Sequence, residues 1–381
     1  MKDYILSVVI PTKNRQKYAL SAAKEVSALH REKIQVVVHD NSNNNSLEQM
    51  IKNENLQNVT YIYCADSLSG VENFNRSLEY VKGEYVCMIG DDDGVLPEIV
   101  KCVEWMKDKN IDAVKAVRSI VYHWPGNSSN LSAMLRIYGN HDVCHKMDTM
   151  AAVIQLLKNG GQNYSKYDLA VSYHGIVKKA CLDAVKRQTG KYFDGVSPDI
   201  YSAVCLSLLK DLKAYYINKP ILISGICPKS TSADSAEGKH FGKLEDIDHL
   251  CDMKTYNWDQ VVPYIYSVET VWAETALKAL EQMGRQDLKN YFNRRYLINL
   301  LYQNNCQHYK ELNEILGNNY DLSKDIKKIT FKRRCRKLLS LLHINMREFF
   351  KIDTIYNEVQ NIQQAYELSL KHVKNEEYRI E

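Results

Sequence analysis

Strand and helix signals alternate regularly through roughly the first 110 residues, and that alternation leaves few folds open. The run ILSVVIP (5–11) is apolar and β-branched, and QKYALSAAKEVSALH (16–30) sets Ala19, Ala22, Ala23, Val26 and Leu29 on one helical side. IQVVVHD (34–40), VTYIYC (59–64) and EYVCMIG (84–90) read as three further strands. Between them lie a short polar helix near 46–52 and GVENFNRSLEYVKG (70–83), a helix closed by Gly83. Pro97 suits the first turn of another helix running to about Lys109. Continuous apolar strands joined by helices require a parallel sheet covered on both faces. The expected fold class is α/β, a doubly wound, Rossmann-like sheet flanked by helices.

In such sheets ligands sit beyond the carboxyl ends of the strands. Those ends carry Pro11-Thr12-Lys13-Asn14-Arg15, Asp40-Asn41-Ser42, Ala65-Asp66-Ser67 and Asp91-Asp92-Asp93. All four polar clusters are expected on one rim. Three adjacent carboxylates at a strand end need plentiful water or a cation. Carboxylate oxygens are hard ligands that suit Mg2+ or Mn2+. The alternative is a solvated acidic turn ahead of a helix, where negative charge is mildly favourable. Asp40 is placed to accept hydrogen bonds from a ribose or base, or to shape an Asp-Asn-Ser turn. No GxGxxG follows the first strand and no GxxxxGK[ST] occurs, which argues against a dinucleotide fold of the usual kind and against a P-loop.

Beyond residue 110 the pattern is mixed. DAVKAVRSIVYHW (112–124) reads as a strand, MDTMAAVIQLLKNG (147–160) and SPDIYSAVCLSLLK (197–210) as helices, and AYYINKPILISG (214–225) as extended chain. Tyr122-His123-Trp124 offers an aromatic platform for a ligand or packs in the core. A polar loop, CPKSTSADSAEGKHFG (227–242), is either a mobile surface loop or a segment that closes over a ligand. The chain has 381 residues, enough for two domains, and a boundary is expected near 245: a catalytic domain over 1–245 and a mostly helical region over 246–381. Helical spacing recurs at 268–283 and 358–373.

Net charge is only +4, so nucleic acid is not an expected partner. The charge is uneven: Lys324–Lys351 holds ten Lys/Arg against two Asp/Glu, giving +8 and leaving the remainder at −4. Interleaved apolar residues make this segment either a membrane-surface helix for an anionic leaflet or a solvated helix packed on the protein. The helical region can equally pair with a second copy. The 10 Cys show no CxxC pair, and several sit in apolar runs as buried small residues, which points to a reducing compartment. The N-terminus lacks a signal-peptide pattern and no run reaches membrane-span length, so a cytoplasmic protein is expected, peripheral on the inner face of the cell membrane if the basic segment binds there.

LSVVIPTKNR, IQVVVHDNSNNNS, GVENFNRSLEYVKGEYVCMIGDDDGVLPE and the later SPDIYSA resemble the family 2 nucleotide-sugar-dependent glycosyltransferases of GT-A fold, over about residues 4–225. The resemblance implies a metal-dependent inverting enzyme of bacterial surface-polysaccharide synthesis, such as capsule or lipopolysaccharide. It implies Mn2+ or Mg2+ as cofactor, a nucleoside-diphosphate sugar as donor with UDP favoured, and a glycan or lipid-linked glycan as acceptor. Pro11, Thr12, Asn14 and Arg15 then line the nucleotide pocket, and Asp40 contacts uracil or ribose. Asn73 and Asn75 face the donor. Asp91, Asp92 and Asp93 resemble the DxD motif, with Asp93 as direct metal ligand and Asp91 on the sugar or ribose and, secondarily, the metal. Ile89 and Gly90 stand where that motif often carries an acid. His240 is a further candidate for the metal or the diphosphate. Inversion also needs a base for the acceptor hydroxyl. Asp199, in Ser197-Pro198-Asp199, resembles the family's base at a helix start, although an acid there also simply favours a helix N-terminus. Asp194 is the alternative.

Two other classes remain in view. A nucleotidyltransferase making an NDP-sugar also uses an α/β sheet and carboxylate-bound Mg2+, but PTKNRQKY has its cations without the expected glycines. A non-catalytic glycan-binding or scaffold protein on a transferase fold is opposed by the presence of all three aspartates and Asp199.

Overall fold

The computed structural model describes residues 4–126, 132–139, 143–228, 241–244, 256–316, 335 and 352–373. The expected alternation is present. Strands β1 (Leu6–Thr12), β2 (Ile34–Asp40), β3 (Val59–Tyr63) and β4 (Tyr85–Met88) alternate with helices α1 (Gln16–Leu29), α2 (Ser46–Asn53) and α3 (Gly70–Ser77). Then follow β5 (Gly94–Val95), α4 (Glu98–Asp108), β6 (Ala113–Ala116), β7 (Ile120–His123), β8 (Met134–Ile137), β9 (His145–Lys146) and α5 (Thr149–Lys158). Next come β10 (Gly175–Lys178), α6 (Lys179–Thr189), α7 (Pro198–Ser207), β11 (Ala214–Ile217), β12 (Leu222–Ile226), β13 (Phe241–Gly242) and β14 (Tyr266–Ser267), and finally β15 (Thr354–Tyr356).

The main sheet runs β3-β2-β1-β4-β10-β6-β11-β9, and its first four strands are parallel. β10 enters antiparallel to both β4 and β6, so the sheet is mixed. Every residue of β1 and β2 is buried, as continuous apolar strands require. Alternate side chains feed two cores. Val9, Val37 and Met88 point to one, and Val8, Ile10, Val36 and Cys87 to the other. Each such side chain contributes about 1.5–3 kcal/mol on full burial. Helix α1 presents the small residues Ala19, Ala22 and Ala23 with Val26 to the second core, which lets it lie close to the sheet.

The segment read as one strand over 112–124 is two. β6 ends after Val117 N–H bonds Ile217 O, and the chain bends through residues 117–119 before β7 starts a second sheet of order β15-β8-β7-β12-β5. Gly83 is not a helix cap either. α3 ends at Ser77 and tightens to a 3-10 turn over Leu78–Tyr80. Gly83 is needed because a Cβ there would lie 2.5 Å from Ser7 N on β1.

Segments from beyond residue 245 pack into the same molecule. The helix Val268–Gln282 shares the first core with α7 through Ala273, Ala276 and Leu280. The helix Ile362–Leu370 seats Ile362 and Ala365 against Leu96 and Ile223 of the second sheet. A buried Arg136–Asp353 ion pair at 2.8 Å fastens β8 to the chain just before β15. No helix among the described residues is long and apolar enough to cross a membrane. His240 lies outside the described residues, as do 229–240 of the polar loop and all of the basic segment 324–351 except Cys335.

Candidate active site at the sheet rim

Parallel register gathers the strand ends. Thr12 pairs with Asp40, Asp40 pairs with Tyr63, and Val9 pairs with Met88. Three residues past that last pair, Thr12 and Asp91 are level, and Thr12 Oγ1 donates to Asp91 Oδ2 at 2.6 Å. Arg15, at the N-terminus of α1, donates from Nε to the same oxygen at 3.0 Å and sets Nη2 2.5 Å from Oδ1. Arg15 thus faces both carboxylate oxygens, with hydrogen-bond geometry at Oδ2 and an ion pair at Oδ1, and charge-assisted contacts of this kind are stronger than neutral ones. Asp91 is wholly buried beneath this pair. Burial pushes Asp91 up and Arg15 pulls it back down. For Arg15 itself, the neighbouring Asp91 and Asp92 outweigh burial and raise it above the usual arginine value.

Asp92 and Asp93 turn toward the second sheet. Asp92 Oδ2 accepts from Cys227 N–H at 2.9 Å, and Asp92 O accepts from Trp124 Nε1 at 2.8 Å. Asp93 is the best satisfied of the three. Gly90 N–H reaches its Oδ2 at 2.6 Å, His174 Nε2 reaches the same oxygen at 2.5 Å, and Gly225 N–H reaches Oδ1 at 2.7 Å. Burial alone would raise Asp93, but His174 and the two backbone donors hold it below the ordinary carboxylate range. Burial and the Asp93 charge push Asp92 up.

Two glycines make this packing possible. A Cβ at Gly225 would stand 1.7 Å from Asp92 O. A Cβ at Gly90 would stand 2.9 Å from Asp92 Oδ1 and 3.0 Å from both Asp93 Oδ2 and the Tyr173 hydroxyl. The acid that the resembling motif often carries near this position has no room at Gly90.

This arrangement bears directly on a metal. Of the residues expected to hold an ion, Asp93 has both oxygens occupied by protein donors, whereas Asp91 takes hydrogen bonds at Oδ2 and leaves its buried Oδ1 with the Arg15 ion pair and no hydrogen bond among the described residues. The Asp92 carboxylate accepts one hydrogen bond, at Oδ2 from Cys227 N–H. Among those residues no group of three or more His, Cys, Asp or Glu surrounds a common ion position. Mg2+ and Mn2+ commonly take one or two protein carboxylates and complete their shell with water and substrate phosphates. The donor set therefore fits an ion held at Asp92 and a diphosphate.

The other expected donor-site residues play quieter parts here. Asp40 is buried, its oxygens taking Ser42 N–H at 2.9 Å and Tyr61 OH at 2.8 Å. Pro11 is buried within β1, and Asn14 is exposed in the left-handed region at φ 58°, accepting from Asn43 N–H at 2.9 Å. Asn73 ties helix α3 to the sheet, with Oδ1 2.6 Å from His39 Nδ1 and Nδ2 donating to Thr12 O at 3.2 Å. Asn75 brackets the backbone at 192–193, accepting from both N–H groups at 3.1 and 3.0 Å and donating to Phe193 O at 2.8 Å. The aromatic platform resolves as core packing: Tyr122 and Trp124 are 0% and 2% exposed.

Asp199 sits in the first turn of α7 behind Pro198, half-buried. Tyr164 OH donates to its Oδ2 at 2.5 Å, and Ser197 Oγ bonds its Oδ1. Lys115 braces the turn that carries Tyr164, donating to the carbonyls of Ser165 at 2.7 Å and Tyr167 at 2.5 Å. Asp194 is engaged elsewhere, by Gln282 Nε2 at 2.5 Å. The Tyr173 hydroxyl lies beside Gly90, and burial with the charges of Asp93, Asp92 and Asp199 raises it above the usual tyrosine value. The exposed Arg118, in the bend after β6, acts on both Tyr173 and Tyr164.

His174, Arg118, Tyr164 and the backbone of 225–227 have no sequence signal of their own. His174 adopts φ 58°, a conformation non-glycine residues rarely take, and its ring stacks on Tyr173 at 4.3 Å. Only the tertiary fold brings it to Asp93, 81 residues earlier.

Residues 7–157 match the family model described as glycosyl transferase family 2. No curated protein matches the chain at a significant level. Solved structures that align with the chain include Staphylococcus aureus TarS 1–349 in complex with UDP-GlcNAc, at 12% identity and TM-score 0.45, covering 97% of this chain and 93% of that one. The mannosyltransferase PcManGT from Pyrobaculum calidifontis, in complex with GDP-Man and Mn2+, aligns at 10% identity and TM-score 0.42, covering 88% of this chain and 87% of that one. Against two other TarS structures the chain spans only 60% of the 1–349 form and 55% of TarS, at 15% and 13% identity and TM-scores 0.39 and 0.43, covering 58% and 81% of this chain.

Proposed function

We propose that the chain is an inverting glycosyltransferase that moves a sugar from a nucleoside-diphosphate sugar to a hydroxyl of a glycan or lipid-linked glycan. One observation carries this reading: the parallel register gathers Thr12, Arg15 and the aspartate run at the carboxyl rim, where Thr12 and Arg15 both bond Asp91. The family match over residues 7–157 supports it. In this reading Asp199 takes the proton of the acceptor hydroxyl while that oxygen bonds the anomeric carbon. The bond from that carbon to the diphosphate oxygen breaks, and its electron pair leaves with the diphosphate. Tyr164 and Ser197 aim the Asp199 carboxylate by hydrogen bonds. In this reading Arg118, exposed in the bend after β6, neutralises the leaving diphosphate. A Mn2+ or Mg2+ ion, when bound at Asp92, supplies further neutralisation of that charge.

Thermal melting of the full chain with UDP, GDP and CDP, each with and without Mn2+, tests the donor half. A metal-dependent rise with one of them is expected, and UDP is tried first because the resembling family favours it. Asp199→Asn is expected to keep that rise and to lose transfer by roughly 100-fold or more. Wild-type transfer in this variant removes Asp199 as base. The non-catalytic reading has one observation in its favour, the internal satisfaction of Asp93; a chain that no nucleotide stabilises would favour it. We further assign catalysis to 1–245 and membrane-surface contact to 324–351. Sedimentation of the full chain with anionic vesicles at low salt checks the second assignment, and no co-sedimentation removes it.

A further inference from the structure

A cavity of about 540 Å³ lies apart from the aspartate cluster, between the turn at 162–166 and the helices Val268–Gln282 and Arg294–Asn304. That volume falls within the roughly 300–1,000 Å³ typical of small-molecule sites. Its lining combines two aromatic faces, Trp272 and Tyr296, with the amides of Asn163 and Asn304 and the carboxylate of Glu269. Aromatic faces beside fixed amides and a carboxylate suit a molecule with apolar C–H faces and a rim of hydroxyls. The polar groups are held in place: Glu269 is 7% exposed and accepts Asn304 Nδ2 at 2.6 Å, while Gln162 Nε2 donates to Glu269 O at 2.9 Å.

The cavity wall leads to Asp199, the base of the reading above. The Trp272 ring packs edge-on against Tyr164 at 5.5 Å between centroids, and Tyr164 OH is the donor to Asp199. Asn163 and Lys166 of the lining flank Tyr164 in sequence. None of the residues expected to bind the donor lines this cavity.

We propose that this cavity is a carbohydrate subsite, binding a sugar unit of the acceptor next to the one whose hydroxyl reacts; the assignment rests on the glycosyltransferase reading above. Stacking on Tyr296 and Trp272 fixes the ring plane, and the amides and Glu269 select its hydroxyls.

Saturation-transfer NMR on the full chain tests this, with methyl glycosides of hexoses, N-acetylhexosamines and uronic acids as probes. At least one glycoside is expected to receive saturation in wild type. Tyr296→Ala is expected to reduce that signal at least tenfold, and Tyr296→Phe, which keeps the ring, to restore it. Tyr296 is half-buried on its helix, and a melting scan of each variant confirms folding. Equal signal in wild type and Tyr296→Ala overturns the assignment of this cavity, and no signal for any glycoside overturns the ligand class. The nucleotide melt is read on the same samples. A wild type that binds glycosides but no nucleotide defeats the transferase reading, whereas nucleotide binding without glycoside binding defeats only the subsite.

Discussion

At the scale of single residues, the two glycines beside the aspartates matter in different ways. At Gly225 the atom in the way is backbone, Asp92 O, which cannot swing aside. Gly225→Ala is therefore expected to push β12 off the aspartate run and to cost roughly 3 kcal/mol, read as a lower urea midpoint. An unchanged midpoint would show that the strand shifts freely. At Gly90 the nearest atoms are side-chain oxygens of Asp92, Asp93 and Tyr173. Gly90→Ala is expected to displace those oxygens more than the fold, lowering metal-dependent nucleotide affinity with a smaller change in the midpoint. The aspartates were visible in the sequence because three like charges at a strand end are unusual. Their partition was not. It depends on Arg15, His174, Gly225 and Cys227, which reach the cluster from three different parts of the chain.

At the scale of elements, the strands and helices of the first 110 residues could be read because each has one dominant period and clear stops. Bends made by tertiary pairing could not. The run 112–124 is β-prone throughout, and its break at 117–119 is set by strands 100 residues later, β11 and β12. That break leaves Arg118 exposed in the bend between the two sheets. The turn carrying Tyr164 depends in the same way on a distant side chain. Lys115 is 9% exposed and contributes two donors to it, and burial lowers its amine to about 8. Lys115→Met keeps the bulk and removes both bonds. It is expected to cost about 1–3 kcal/mol in stability and to slow transfer, with nucleotide-induced melting shifts intact. A variant that loses nucleotide binding instead would place Lys115 in the donor site.

At the scale of the whole molecule, the helix Val268–Gln282 carries a pH dependence into the shared core. Glu274 is 1% exposed, beside Tyr256 OH at 3.1 Å and Asp259 N–H at 3.0 Å. Burial raises its carboxyl from 4.5 to about 7, more than those donors lower it. The folded protein then holds a proton that the unfolded chain releases, so this contribution is complete below pH 4.5 and is lost as pH rises through 7. The change is up to about 3 kcal/mol. Glu274→Gln is expected to flatten the stability profile between those pH values, and denaturation midpoints across that range check it. The two sheets, meanwhile, meet at Asp92, whose side chain is held by β12 and whose carbonyl is held by the indole of Trp124. Trp124 is 2% exposed and edge-on to Tyr18 at 4.8 Å. The protein thus carries its own fluorophore wired to the aspartate run, and ligation at Asp92 should be readable as a change in emission without any added label.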